Sequence, residues 1–547
     1  MSAIRVFDPA CGSGNFLVVA YRELRAREIR ILRRLGDLEG QTQIQMWSQI
    51  PITNFYGIEI TDFSAETAKL AMFIAEYQAN TTFDEAFGRK PAALPLKGGA
   101  NIRNENALRI SWDDVCSPMK GGEVFIAGNP PFLGSTYQSK DQKADLAKVF
   151  DGHVKSYAAF DFVAAWFFKA SGYIRNTKAR AAFVSTNSIC QGYSVAALWP
   201  HILKDELEIF FANKDFKWRN NAAANAAVIC SVIGIRPKVR DRKRLFDDGV
   251  STDADNINPY LANAPTVYVE GIRKGLFGLP QMDYGNKPVE GGHLIIDHAE
   301  KTTLERENPD AAKFLRPFMG SQEVTKGFQR YCFWITAENL AQARLIPEIE
   351  KVRAESTDAY VREKLLPLSY RFKQVFEARN HMFIVPRHTG ENRRYLPCER
   401  VSSEVICSDA AMALYDAPDW SFAIFSSRLH MVWIAAVCGK IKSDYRYSNT
   451  LGWNTFPVPV FTGSQLEALS LSARTILKTR YKHHPATIAD LYDPEKMPED
   501  LREAHRANDE LLESMYIGRP FKTDTERLEH LFKLYAAKVK KLKKEAA

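Results

Sequence analysis

No Cys-x-x-Cys pair occurs among the eight cysteines of this chain, which are Cys11, Cys116, Cys190, Cys230, Cys332, Cys398, Cys407 and Cys438. That scatter offers neither the ligand spacing of a zinc site nor a disulfide framework, so the thiols are expected to be reduced and mostly buried, with no metal bound. Apolar runs long enough for a membrane span, about 20 residues, are also missing. The longest candidate, 222–235, is short and carries Asn225. The N-terminus lacks a signal-peptide pattern, and a cytoplasmic protein is expected. Strong charge of one sign is absent too: a net charge of +8 over 547 residues permits a polyanionic partner without requiring one. What is present, 46% hydrophobic and 25% charged residues, is ordinary for a globular protein. The length exceeds what one core usually serves, so a catalytic domain plus one or two others is expected.

The stretch Val124-Phe125-Ile126-Ala127-Gly128-Asn129-Pro130-Pro131-Phe132 reads as a short buried strand running into a rigid loop. Two consecutive prolines fix φ near −65° and remove two backbone donors, leaving their carbonyls free as acceptors. A carboxamide oxygen and a neighbouring carbonyl can each accept one N–H of a planar amine, while the following Phe offers a flat face for its ring.

The chain opens on the strand Ile4-Arg5-Val6-Phe7, followed by Asp8-Pro9-Ala10-Cys11-Gly12-Ser13-Gly14-Asn15-Phe16-Leu17. Glycines between a strand and a helix let the backbone approach a ligand, and the helix N-terminus points free N–H groups at it. Such a loop can equally be a plain structural turn. The run Phe55-Tyr56-Gly57-Ile58-Glu59-Ile60 ends on an acid where a second parallel strand would reach its carboxyl edge, the usual place for a ribose-binding carboxylate. A helix over 63–79 carries Ala65, Ala68, Ala71, Met72 and Ala75 at helical spacing and should pack on the sheet. Residues 80–104 read as a loop, and Asn106 either contacts the adenine of a cofactor or caps a turn.

Residues 134–156 read as a segment that orders around substrate, followed by a helix over 158–173, a strand over 181–185, a helix over 195–203, a strand over 207–212 and a last strand over 226–235. This alternation predicts a doubly wound, mostly parallel α/β sheet. Lys214-Asp215-Phe216-Lys217-Trp218-Arg219-Asn220 mixes aromatics with basic residues; it reads either as a loop that stacks a base and touches phosphates or as a hairpin whose aromatics cap the core. After the basic run 236–244, read as a linker, Arg and Tyr recur through 300–460, as in Arg393-Arg394-Tyr395 and Lys440-Ile441-Lys442-Ser443-Asp444-Tyr445-Arg446. Repeated basic and aromatic interleaving favours a nucleic-acid surface. Helices broken near Pro485, Pro494, Pro498 and Pro520 close the chain.

With these motifs in this order, the chain resembles class I S-adenosylmethionine-dependent N6-adenine DNA methyltransferases, and within them the MmeI-like (type IIL/IIG) restriction-modification branch. The branch resemblance extends to Leu315-Arg316-Pro317-Phe318-Met319-Gly320, Arg330-Tyr331-Cys332-Phe333-Trp334, Tyr447-Ser448-Asn449-Thr450, Asn454-Thr455-Phe456-Pro457 and the segment 524–532. It implies a Rossmann-like methyltransferase domain over 1–240, a connector over 241–300, a mixed α+β target recognition domain over 301–462 and a C-terminal helical segment over 463–547. It further implies that Asp8, Pro9, Ala10, Cys11, Gly12, Gly14, Asn15, Phe16, Glu59, Ile60, Asn106 and Ala107 hold S-adenosylmethionine, and that Asn129, Pro130, Pro131 and Phe132 are catalytic. Phe216, Trp218, Arg393, Arg394, Lys442, Tyr445 and Arg446 are the expected DNA contacts. The branch carries an upstream methionine-binding helix, a helical spacer and a nuclease domain; none is recognised in this sequence, so methylation of double-stranded DNA without cleavage is expected, by a monomer whose nuclease or upstream part would be separate. The alternatives are a methyltransferase acting on RNA or a protein glutamine amide, and a non-catalytic DNA-binding remnant.

Overall fold

The apolar strands and amphipathic helices of the first half assemble into one sheet in the computed structural model, which describes all residues except 40–46, 89–98, 119–121, 205, 219–227, 289–291, 348, 350–371, 442–443 and 547. Nine strands lie in the order β3-β2-β1-β4-β5-β7-β6-β8-β9. They are β1 (Ile4–Asp8), β2 (Phe55–Glu59), β3 (Asn101–Asn104), β4 (Glu123–Gly128), β5 (Arg180–Thr186), β6 (Leu207–Trp218), β7 (Val228–Pro237), β8 (Lys243–Asp247) and β9 (Val250–Ala254). The first five run parallel. The helices between them are α1 (Asn15–Glu39), α2 (Asp62–Ala86), α3 (Lys140–Phe150), α4 (Ala164–Ile174) and α5 (Tyr193–Ile202). Strand order reverses between β1 and β4, and ligands of doubly wound sheets bind outside the carboxyl ends at such a switch point. Asp8 and Gly128 are the two residues there.

α2 follows the apolar period of its sequence: Ala65, Ala68, Met72, Ala75, Ala79 and Phe83 are buried, and the first five form the core on one side of the sheet with Leu17, Tyr21 and Phe55. Several other elements differ from the pattern reading. The helix runs on to Ala86 and β3 occupies 101–104, so the stretch 80–104 is a plain loop at neither end; residues 89–98 lie outside the described ones. Within 134–156 sits α3, started by a capping box in which the Ser139 hydroxyl accepts from Gln142 N–H. The helix expected from 158 begins only at Ala164, after a turn, and β6 runs to Trp218, well past 212. As expected, the sheet is mostly parallel, with β7 pairing antiparallel to both β5 and β6. Two stretches of the expected connector 241–300 are strands of this same sheet, because β8 pairs with β6 and turns back as β9. The linker reading of 236–244 missed this since Lys243 and Arg244 look solvated in sequence, while the next residue of β8, Leu245, pairs with Ala212 of β6 and is buried.

The chain divides into two units, Met1–Tyr268 and Val269–Ala547. In the second, three small sheets of three or four strands mix with short helices. One contains His381–Pro386 paired antiparallel with Ala411–Tyr415, with Met382, Phe383, Ile384 and Val385 buried. The unit ends in the long helices Gly463–Tyr481, Glu499–Ile517 and Asp524–Ala546. All eight cysteines are free and buried. Among the described residues no helix is long and apolar enough to cross a membrane.

Candidate active site

At the end of β1 the chain turns on Gly12 (φ +55°) and Gly14 (φ +87°), a left-handed backbone that other residues adopt only at a cost. A Cβ at Gly14 would lie 3.2 Å from Ala68 of α2, whereas the space above Gly12 is open. The loop is tied to β2 twice: Cys11 N–H donates to the Ile58 carbonyl (3.0 Å), and Gly12 N–H donates to Glu59 Oε2 (3.0 Å). Glu59 Oε1 accepts from the Thr61 N–H (3.0 Å) and hydroxyl (2.8 Å). A carboxylate offers about four acceptor positions, so a place remains for a ribose hydroxyl. Phe16, the second residue of α1, and Ile60, which follows Glu59, expose 40% and 66% of their surface, which leaves apolar area for a flat ring. Asn15 is exposed as the first residue of α1, and Pro9 and Cys11 are buried.

Asp8 is 1% exposed, and its Oδ1 accepts from Ala10 N–H at 3.0 Å. Burial pushes its pKa up to about 7, with the nearby Glu59 charge adding to the rise and the Ala10 N–H opposing it. A Cβ on Gly128 would sit 2.3 Å from Asp8 Oδ1, so only glycine fits where β4 hands over to Asn129. The close approach brings the cofactor-type loop and the Asn-Pro-Pro-Phe loop side by side.

Asn129 Oδ1 is a buried oxygen with no hydrogen-bond partner. A buried, unpaired acceptor costs about 1–3 kcal/mol, and folded proteins seldom carry one unless something else satisfies it. Pro130 is buried, Phe132 half-buried and Pro131 exposed. The loop is held from behind at Leu133, whose N–H donates to Asp161 Oδ1 (2.8 Å) and whose carbonyl accepts from Phe162 N–H (3.0 Å) and Gln138 Nε2 (2.8 Å).

Two further groups of expected contacts take part in the fold itself. Asn106 forms the turn: its Oδ1 accepts from Leu108 N–H (2.9 Å) and its Nδ2 donates to Asp145 Oδ2 (2.9 Å), one bond at each end of the amide, which leaves one further position on each. The Ala107 carbonyl accepts from Trp112 Nε1. Phe216 and Trp218 lie on the outgoing arm of the β6–β7 hairpin, as the second reading of that segment had it; they share one face with ring centroids 6.2 Å apart and are half-buried. Because β6 runs parallel to the first strands, they sit at the carboxyl edge of the sheet; Arg219 and Asn220 lie outside the described residues.

Sequence reading missed Asp161 and Trp166, whose indole N–H donates to the Pro9 carbonyl (3.1 Å). The available signals were an Asp just before a helix and a tryptophan on a buried helix face, where the N–H needs a partner.

In the second unit, Arg393 lines a cleft of about 860 Å³ together with Arg330, Arg387, His388 and Asp444. Tyr445 and Arg446 lie on the strand Asp444–Arg446, which pairs with His388–Thr389 beside that cleft. Burial lowers the pKa of His388 most, Arg387 and Arg446 add to the fall, and Asp444 opposes it. Arg394 points its guanidinium over the Tyr395 ring (5.8 Å), and Lys442 falls outside the described residues. The sequence reading did not single out Arg387.

Residues 1–247 match the family described as MmeI, DNA-methyltransferase domain; residues 263–460 match the MmeI target recognition domain and residues 462–543 the MmeI C-terminal domain. Over 541 residues the chain is 38% identical to DNA methyltransferase A of Bacillus subtilis (strain 168), a match covering 97% of this chain and 61% of that protein. The chain thus spans less than two thirds of that relative. A shorter match, 32% identical over 117 residues, is to a putative type II restriction enzyme and methyltransferase of Methanocaldococcus jannaschii and covers 21% of this chain and 9% of the other. The structure of the type IIL restriction-modification enzyme MmeI in complex with DNA aligns with a TM-score of 0.80 and 36% identity over 98% of this chain and 73% of that one.

Proposed function

This chain belongs to the MmeI family, and from that premise we propose that it methylates the N6 amino group of adenine in double-stranded DNA at a specific site, using S-adenosylmethionine. The observation that carries the reading is the buried, unpartnered Asn129 Oδ1 beside a loop that fits the cofactor. That fit rests on the open space above Gly12, the remaining acceptor position of Glu59 and the buried Asp8 carboxyl, which a cation would stabilise in its charged form.

A target adenine must leave the duplex to reach this loop, at a cost of a few kcal/mol. Phe132, with Phe216 or Trp218 as a second face, returns about 1–3 kcal/mol by stacking. Asn129 Oδ1 and the Pro130 carbonyl accept the two amino hydrogens, drawing the nitrogen toward tetrahedral geometry and freeing its lone pair. S-adenosylmethionine, when bound, supplies an electrophilic methyl group. Since the amine needs no strong base, rate comes from positioning and from dipoles fixed in advance. Arg393, Tyr445 and Arg446, with Arg387 and His388, form the basic surface we assign to DNA contact.

Methylation assays on duplex DNA, structured RNA and protein test the reading directly, followed by modified-base sequencing of a methylation-free host that expresses the protein. One adenine-modified motif is expected; label on RNA or protein instead would replace it.

The raised pKa of Asp8 adds a pH prediction. Below about pH 7 the carboxyl is protonated, and a cationic ligand favours the ionised form, so binding must release that proton. Cofactor affinity is expected to rise about tenfold per pH unit up to pH 7 and then level off. Calorimetry in buffers of different ionisation heat reads the proton release, and Asp8→Asn should flatten the profile; a flat profile in the unsubstituted protein separates Asp8 from the cofactor.

A further inference from the structure

We infer that Asp161 is a positioning residue that locks the acceptor loop Asn129–Phe132 to the glycine loop, a role that rests on the methyl-transfer reading above. Asp161 is buried just ahead of α4, at the carboxyl edge of the sheet. Its Oδ1 accepts from Leu133 N–H (2.8 Å), the first residue after the acceptor loop, and from Val163 N–H (3.3 Å) of its own turn. Its Oδ2 accepts from the hydroxyl of Thr186 (2.9 Å) at the end of β5, and the Thr186 and Ser188 hydroxyls lie 2.6 Å apart. One carboxylate therefore joins the segment after β4, the turn before α4 and the end of β5.

The same turn reaches the other half of the site. Phe162 N–H donates to the Leu133 carbonyl, so both backbone groups of Leu133 are held by consecutive residues, and five residues after Asp161 the Trp166 indole holds the Pro9 carbonyl of the glycine loop. The segment 161–166 is thus a bracket with one end on the acceptor loop and the other on the cofactor-type loop. In group transfer an offset of about 1 Å between the reacting partners can cost about 10²-fold in rate, so a bracket that sets this offset acts on rate more than on binding. Asp161 does not itself need to touch substrate, since its acceptor positions serve the chain.

Asp161→Ala removes the acceptor from Leu133 N–H. Hydrogen exchange is expected to speed up about tenfold in peptides covering 129–138 and to stay unchanged over β1 and β2. The rate constant kcat on duplex DNA should fall about 10²-fold with KM for the cofactor within about twofold. Asp161→Asn keeps an oxygen for Leu133 and can donate to Thr186, so it should recover most of both. Unchanged exchange over 129–138 in Asp161→Ala overturns the inference, as does a loosened loop with full kcat. If Asp161→Ala unfolds throughout, Thr186→Val decides: it removes the shorter of the two hydroxyl bonds to Oδ2, leaving Ser188 at 3.5 Å, and should raise exchange over 129–138 about threefold, and no rise overturns the inference. An unsubstituted protein that methylates nothing would sink the functional reading, while the exchange measurements would still judge Asp161.

Discussion

Asn129→Ala is expected to lower methyl transfer to duplex DNA by at least about 10²–10³-fold, the loss seen when one preorganised polar group aimed at a reacting centre is removed. The same change should leave stability intact or slightly raised. Its Oδ1 is buried and unpaired, so deleting it removes a desolvated acceptor that costs about 1–3 kcal/mol. Loss of activity together with an undiminished Tm is the signature of a group kept for chemistry. Cofactor binding should be near normal, because the glycine loop is built on Asp8, Cys11, Gly12 and Glu59, none of which bonds to Asn129. Single-turnover rates, thermal melting and cofactor titration on the one variant decide the matter. Full activity would remove Asn129 from the mechanism, and a large fall in Tm would make it a structural residue.

Glu59→Ala is the second large effect, and it should appear in binding. Glu59 anchors Gly12 N–H through one oxygen and the Thr61 N–H and hydroxyl through the other, while keeping an acceptor position toward the proposed ribose. Hydrogen bonds to a charged group contribute about 1.5–3 kcal/mol each, less where partly exposed, as here. Losing the ribose contact and loosening the loop together should weaken cofactor affinity by about 10²–10³-fold, which is about 3–4 kcal/mol. Glu59→Gln keeps one oxygen acceptor and should fall between. Calorimetric titration checks this; if Glu59→Ala binds cofactor as the unsubstituted protein does, the carboxylate is only a strut for the glycine loop.

Local patterns carried much of this site because its parts are local. A strand, two glycines and a helix are consecutive in 4–17, and an acid closing β2 or an Asn-Pro-Pro-Phe closing β4 needs no distant partner to be recognised. Patterns failed where the deciding partner is remote. Nothing near Lys243 in sequence reveals that β6, some thirty positions earlier, offers it an open edge, so a basic run passed for a linker. The segment with Phe216 and Trp218 read either as a loop or as a hairpin, and pairing with Cys230 and Val228 makes it the arm of a hairpin.

By itself, then, the sequence determined which chemical groups stand at the ends of β1, β2 and β4, since alternation of apolar strands with helices forces a doubly wound sheet whose carboxyl ends carry the polar residues. Tertiary structure alone decided how those groups face one another. It closed Gly128 against Asp8, bonded the Asn106 amide to Leu108 and Asp145, and left Asn129 Oδ1 without a partner. It also joined Trp166 to Pro9 across 157 positions and Asp161 to Leu133 across 28. A hydrogen bond depends on distance and angle in space, and chain spacing fixes these only within a turn or along a strand.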